Sequence, residues 1–463
     1  MLRGIGLVST VILARLLVPA DFGLIASAML VIGALQVLTE TGQRAAIIRM
    51  RDPQRAHYDS AWTMGLLIGF GVAGVLALLA PFVAVWLDDP RLSWIVWALA
   101  LRPAIQSLEN IGLVDLQRRL DFRRDLQIML FGKLAGFAVT IALAFLLRNY
   151  WALIAGTLAQ AVLGVMVSYV FIPYRPRLTL SKARELWSFS IWSLGTSIGA
   201  YCADRADHVV VAGALGSEAM GTYTVGAELA ALPTEELVVP PVRALYAVYS
   251  RVAHDPAAMR AHYLTALSFI AMVACATATG VALVAEDLVT VVLGPRWSAA
   301  APILPWIALA TGMMGVARSA NSVLLAAGHA RANALRAAAF AVLLLPVALA
   351  GANWRGLEGV AIARFTVTLV FVPVMFALLV RLLNVPILAI LRTIWRPLGA
   401  AAGMAMTVTA IHPYLPSVPW IRLLGDAAVG AAAYASVLVT LWLCAGRPPG
   451  AERAILTWLG GRV

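Results

Sequence analysis

The sequence predicts an all-α integral membrane protein, with about 14 transmembrane helices in two pseudo-symmetric six-helix lobes plus two C-terminal helices. Three observations predict it: the apolar composition, the placement of arginine along the chain, and an internal repeat. Of 463 residues, 62% are hydrophobic and 13% charged, with mean hydropathy +0.87; a soluble domain is about a quarter charged. The apolar runs approach the roughly 20 residues that a helix needs to cross the hydrocarbon core. They lie near 4–18, 22–43, 61–86, 92–114, 126–147, 151–172, 187–213, 220–249, 263–285, 299–325, 335–352, 357–380, 398–415 and 420–444. The first is short for a bilayer, which leaves open whether residues precede Met1.

Arginine tests the span count. Alternate joints carry Arg44, Arg49, Arg51 and Arg55; Arg118, Arg119, Arg123 and Arg124; Arg175, Arg177, Lys182 and Arg184; Arg251 and Arg260; Arg331 and Arg336; then Arg381, Arg392 and Arg396. The tail adds Arg447, Arg453 and Arg462, while the other joints carry little beyond Arg91, Arg148, Arg296 and Arg355. Lys and Arg gather in cytoplasmic loops, so an even number of spans with both termini cytoplasmic is expected. The remaining joints are short and acidic or neutral, as at Asp21, Asp88-Asp89-Pro90, Glu218 and Glu286-Asp287, and hold no soluble domain. Trp86, Trp94, Trp151, Trp297, Trp354 and Trp420 fall at span ends, as an interfacial aromatic belt does.

The repeat is a hairpin. Val11 to Val31 reads as two apolar runs around a tight connection, Pro19-Ala20-Asp21-Phe22-Gly23, and the design returns from Asp207 to Leu229 around Gly216 to Gly221. Setting Gly23 on Gly221, 198 residues later, puts Ala14 on Ala212 and Pro19 on Ser217. Asp52-Pro53 through Tyr58 and Asp255-Pro256 through Tyr263 match more loosely. Two homologous halves are a common build for secondary transporters; the alternative is that any polytopic protein has such Gly- and Pro-rich joints. The expected domains are an N-terminal lobe over 1–172, a cytoplasmic linker over 173–186, a C-terminal lobe over 187–380, and two extra spans with the tail over 381–463. Ser181 is the expected N-cap of the seventh helix.

The formal charge of +12 suggests nucleic acid in a soluble protein, but here it belongs to cytoplasmic loops, so no nucleic-acid partner is expected. No G-x-x-x-x-G-K-[ST], H-E-x-x-H or G-x-S-x-G pattern occurs, and Cys202, Cys275, Cys444 and the six His share no metal-ligand spacing. The expectation is a protein that is no enzyme, holds no cofactor or metal, and is a monomer.

Several motifs resemble a known family. Ala14-Arg15-Leu16-Leu17 followed by Pro19 and Asp21-Phe22-Gly23 resembles the first hairpin of bacterial polysaccharide flippases. Leu116 to Arg124 (LQRRLDFRR) resembles their basic loop after the fourth span, Asp207 through Gly216 to Gly221 and Tyr223 the entry to their second lobe, and Gly294-Pro295-Arg296-Trp297 a Gly-x-x-Trp turn found there. The resemblance covers nearly the whole chain and is strongest to the O-antigen and colanic-acid exporters of the multidrug/oligosaccharidyl-lipid/polysaccharide superfamily. It implies a bacterial inner-membrane protein that passes a lipid-linked oligosaccharide, on an undecaprenyl-pyrophosphate carrier, to the outer leaflet by ion-coupled alternating access without ATP hydrolysis.

Under that resemblance the ionisable residues inside spans become candidate site residues, because a charge at mid-span costs about 2.5–3.5 kcal/mol and needs water or a partner. They are Glu40, Arg102, Glu109, Asp115, Asp204, Arg205, Asp207, Glu228, Glu235, Glu236, Arg243, Arg318 and Arg364. Each either lines a polar cavity or closes an internal ion pair; Glu40, Glu235, Glu236 and Arg243 lie near span ends and favour the second reading. Arg205, Arg318 and Arg364, with Asp204, Asp207 and Asn321, are the expected cavity residues, since the guanidinium fork suits a diphosphate. Arg318 and Arg364 have no acid one turn away. Glu109 and Asp115, assigned to the fourth span, are candidates for H⁺ or Na⁺ coupling. A multidrug exporter of the same fold and, less favoured, a membrane polysaccharide polymerase are the competing readings. The intramembrane arginines oppose the first, and the short outer joints oppose the second.

Overall fold

The computed structural model describes residues 2–39, 43–50, 52–119, 121–252, 254–448 and 450–452. Glu40, Arg51, Arg453 and Arg462 lie outside the described residues, and so does the side chain of Arg243. Every regular element among the described residues is helical. The chain divides into two compact units, Met1–Thr222 and Tyr223–Val463.

The first unit holds α1 (Leu2–Leu16), α2 (Pro19–Gln36), α3 (Gln43–Arg49), α4 (Arg55–Trp86), α5 (Arg91–Ser107), α6 (Leu113–Arg118), α7 (Phe122–Leu147), α8 (Trp151–Phe171) and the first part of α9 (Ala183–Arg251). Within α9 the path breaks at Gly216 (φ +84°), a conformation that glycine adopts without Cβ strain. Two helices result, 183–215 and 217–251, and the unit boundary falls inside the second. In this first unit α4 packs along α5, α7 along α8, and α5 against α8. Leu24 and Ile32 of α2 meet Leu76 of α4 and Ile95 and Leu99 of α5 in a fully buried core. The residues are those that apolar patterning assigns to helix interiors.

The first hairpin differs from its expected form. Pro19 to Gly23 is not the connection but the first turn of α2; the turn itself is Leu17-Val18, after α1 ends at Leu16. Proline at the first helical position and an aspartate carboxylate on the Val18 amide (3.4 Å) are helix-start chemistry. Gly23 and Gly221 therefore occupy equivalent places, in the opening turns of α2 and of the 217–251 helix. They also touch. A Cβ on Gly23 would lie 1.6 Å from the Ser217 carbonyl oxygen, and a Cβ on Gly221 1.9 Å from the Pro19 carbonyl oxygen. The contact is reciprocal in the register of the repeat. Small residues four apart let two backbones cross at this range.

The segment after α8 is pinned in place. Asp59, buried in α4, accepts from the Tyr174 hydroxyl (2.7 Å) and the Arg177 amide (3.0 Å). Ser60 and Thr63 accept from the Lys182 and Thr179 amides, and Asn110 donates to the Ile172 and Tyr174 carbonyls. Burial first, then the Asp59 carboxylate, pushes the Tyr174 phenol up, which keeps it a donor. The helix that follows begins at Ala183, one residue past Lys182 rather than directly after Ser181.

The second unit holds the rest of α9, α10 (Pro256–Leu283), α11 (Ala285–Val292), α12 (Leu304–Ala326), α13 (Ala330–Leu383), α14 (Ile387–Ile411) and α15 (Pro419–Cys444). α13 reverses at Arg355-Gly356 (Gly356 φ +58°). Its halves, 330–354 and 357–383, cross with Gly351 against Gly359 so closely that neither has room for a Cβ. α10 packs on α12 and α14, α12 on α13, and α14 on α15.

Among the described residues, seven helices are long and apolar enough to cross a membrane, and large side chains such as Leu78, Val85 and Val170 stand exposed on them. An apolar exterior of this kind belongs in lipid. Trp86, Trp94, Trp151, Trp354 and Trp420 are exposed, but Trp297 is fully buried. It is a core residue, drawn inward by the short 3-10 turn Pro295–Ala300 that Gly294 (φ +97°) starts.

Candidate functional site

The site builds on the first unit, where residues of α3, α4, α5, α6, α7 and α8 line a cavity of about 990 Å³. Its wall carries Arg44, Arg102 and Lys133, the acids Glu109 and Asp125, and a neutral hydrogen-bonding set that includes Gln43, Gln106, Gln117, Thr157 and Gln160. Amides and hydroxyls suit sugar hydroxyls; the cations suit an anion.

Arg102 is the residue the sequence reading named among the buried charges but did not select. It lies in α5, half-buried, and its Nη1 is 3.7 Å from the Met29 thioether. Among the described residues no carboxylate pairs with it. A thioether is a weak acceptor, so the guanidinium keeps nearly all of its donor capacity for the cavity. The Gln43 amide nitrogen is also buried, with no hydrogen-bond partner among the described residues. The signal available in the sequence was that no acid lies one turn from Arg102.

Glu109 lines this cavity too, in ion contact with Arg44 (2.7 Å). It lies beyond the end of α5, and Asp115 sits in the short α6, so neither belongs to a long fourth helix. Asp115 accepts from the Tyr58 hydroxyl and lies 3.8 Å from Arg118.

The other expected cavity residues divide between the units. In the first, Asp204 and Arg205 are exposed while Asp207 is fully buried. The Asp207 carboxylate accepts from the His208 amide (3.0 Å) and faces His208 Nδ1 (2.9 Å). That fixes the proton on Nδ1 and leaves Nε2 to accept from Arg205 Nη1 at 3.3 Å. The partner of Arg205 is therefore a histidine, not either aspartate.

In the second unit, Arg318 of α12 meets Glu235 at 3.3 Å. Its own helix offers Arg318 no acid one turn away, and the fold brings one from 83 residues away in sequence. Asn321, one turn on, has a buried Oδ1 with no hydrogen-bond partner among the described residues. Arg364, in the 357–383 helix, is half-buried and partnered. A double-mutant cycle checks the pair: Arg318→Ala and Glu235→Ala should each lower thermal stability, with a coupling of about 0.5–1 kcal/mol for a partly exposed pair. Strict additivity would show no interaction.

The fold also assembles a group that no sequence spacing reveals. Asp287, His412 and Asp426 place one ligand atom each within 4.8 Å of one another.

Comparison with known proteins gives these features a context. The chain is 24% identical over 313 residues to the succinoglycan biosynthesis transport protein ExoT of Rhizobium meliloti, covering 67% of this chain and 63% of that protein. It is 22% identical over 375 residues to the lipopolysaccharide biosynthesis protein WzxC of Escherichia coli, covering 79% and 75%. The structure resembles the lipid II flippase MurJ in an inward closed conformation (TM-score 0.78, 13% identity, 96% of this chain and 98% of that one). It also resembles an inward-facing multidrug resistance MATE transporter (TM-score 0.65, 16% identity, 83% and 95%). At these identities the structures show a shared fold. The polysaccharide biosynthesis protein family matches residues 12–302. The chain therefore belongs to the polysaccharide biosynthesis protein family, the flippase family that its hairpin, basic loop and second-lobe motifs resemble.

Proposed function

We propose that this protein is a flippase that carries a lipid-linked, negatively charged oligosaccharide across the bacterial inner membrane for cell-surface polysaccharide synthesis. The carrying observation is the first-unit cavity: a space rich in amides and hydroxyls in which Arg102 pairs with no carboxylate among the described residues. Arg102 and Lys133 hold the pyrophosphate of an undecaprenyl-pyrophosphate carrier, and the glutamines receive the sugars. Arg205, Arg318, Arg364, Asp204, Asp207 and Asn321 are further proposed contacts along the route. Uptake of H⁺ or Na⁺ at Glu109 loosens its pair with Arg44 and couples an ion gradient to the cycle; Asp115 is the second candidate.

In this reading the spans are α1, α2, α4, α5, α7, α8, both helices of α9, α10, α12, both helices of α13, α14 and α15, which makes about 14. The breaks at Gly216 and Gly356 support the count. The lobes are 1–172 and 187–380, with a linker over 173–186 and two extra spans over 381–463, in a monomer with both termini cytoplasmic. The arginine-rich joints support that orientation.

The test is loss of the gene product in cells that make the polysaccharide. Its lipid-linked precursor should accumulate, inaccessible to an impermeant lectin in spheroplasts, and plasmid expression should clear it. Unchanged precursor and polysaccharide, with altered drug tolerance instead, would favour a drug exporter.

A further inference from the structure

We propose that the second unit contains a divalent-cation site, suited to zinc, formed by Asp287, His412 and Asp426. Three separate elements supply it. Asp287 lies in α11, His412 directly follows α14, and Asp426 is in the second turn of α15. α15 packs on both α11 and α14, which brings the three side chains together.

Charge is the first argument. Asp287 and Asp426 are both almost fully buried. Arg422 hydrogen-bonds only Asp287: its Nε lies 2.7 Å from Asp287 Oδ2, with Nη2 on Oδ1. Both ends of that guanidinium fork are spent on Asp287. Asp426 receives no hydrogen bond from Arg422, which acts on it only through space, and Glu286 beside Asp287 adds to the negative field. The second argument is an unfilled acceptor. Asp426 Oδ2 meets His412 Nδ1 at 2.7 Å, but Asp426 Oδ1 is buried with no hydrogen-bond partner among the described residues. A buried carboxylate oxygen left in that state is costly. Protonation of His412 would supply one positive charge but would still serve Oδ2 alone. A dication supplies the charge, and a water bound to it can donate to Oδ1.

The donor set selects the ion. One imidazole and two carboxylates make a three-ligand site, and a tetrahedral zinc leaves its fourth position to water. Calcium and magnesium prefer six or more oxygen ligands, whereas an imidazole suits zinc. The His412 side chain is 40% exposed, which gives a bare ion a way in. On binding, zinc replaces the proton shared by Nδ1 and Oδ2, and those atoms open from 2.7 Å to about 3.3 Å, the edge of a tetrahedron with bonds of about 2.0 Å. Arg422 then holds Asp287 in place from behind, as supporting groups do at metal centres. The ion staples α11 to α14 and α15 and so secures the two C-terminal helices to the rest of their unit. This site is separate from the first-unit cavity and does not depend on the transport reading.

The experiment uses the full-length, tag-free protein, purified in detergent and stripped with chelator, and titrated with zinc alone. Calorimetry should give one zinc per chain, and the melting temperature should rise by about 2–5 °C at saturation. Magnesium should do neither. His412→Ala changes a half-exposed side chain, and it should melt close to the stripped wild type yet bind no zinc. Asp426→Asn should lose binding as well. A wild type that takes up no zinc overturns the proposal and leaves the cluster as an ion-pair clasp of protonated His412 with Asp426. Equal zinc uptake by His412→Ala overturns it too, because the ion then sits elsewhere.

Discussion

Replacing Arg102 by alanine should cut export of the lipid-linked sugar at least about tenfold, at normal protein abundance in the membrane. A hydrogen bond to a charged group contributes about 1.5–3 kcal/mol, and about 1.4 kcal/mol is tenfold in binding. Arg102 has no carboxylate partner among the described residues, and its Nη1 lies 3.7 Å from the Met29 thioether. Its removal therefore leaves no orphaned acid, and stability should hold or rise, since a cation in a span is itself expensive. Arg102→Lys keeps the charge and loses the planar fork, so export should fall by less. Arg102→Met, apolar and of similar length, should match alanine. Normal export by the alanine and methionine variants at normal abundance would remove Arg102 from the substrate path.

The Gly23–Gly221 crossing predicts the other large effect. Gly221→Val should abolish export, and Gly23→Val should do the same. Each places a Cβ within 2 Å of a partner carbonyl oxygen, and backbone cannot yield as a flexible side chain can. Overpacking costs about 1–3 kcal/mol even where side chains can move. The helices must separate or tilt. The purified variants should melt earlier than the parent. Wild-type export by both valine variants would mean that the close crossing is not part of the working protein.

The helices were legible because a span is a local property. Twenty apolar residues and a charged joint can be read from neighbours in the chain, and so the all-helical membrane character followed from composition and arginine placement. The register of the repeat was legible for the same reason, although the turn was misplaced by a few residues: Pro19 and Asp21 look like turn residues and are equally helix-start residues. Trp297 was misread because a span end and a buried corner share the same sequence pattern. The site was much less legible. A charge in a span announces that something must compensate it, but the compensator is chosen by the tertiary fold. Arg318 found Glu235 in a different helix, Arg205 found His208 one turn away, and Arg102, one charged span residue among many in the sequence, has no carboxylate partner among the described residues. Asp287, His412 and Asp426 met only because α15 packs against both α11 and α14.

The most direct measurement is translocation in proteoliposomes. Purified protein is reconstituted with a lipid-linked oligosaccharide confined to the inner leaflet, and an impermeant lectin reports head groups that reach the outside. Lipid-linked sugar should become accessible within minutes with protein and stay protected in protein-free vesicles, faster when a proton or sodium gradient is imposed. Equal protection with and without protein, under either gradient, would contradict a flippase.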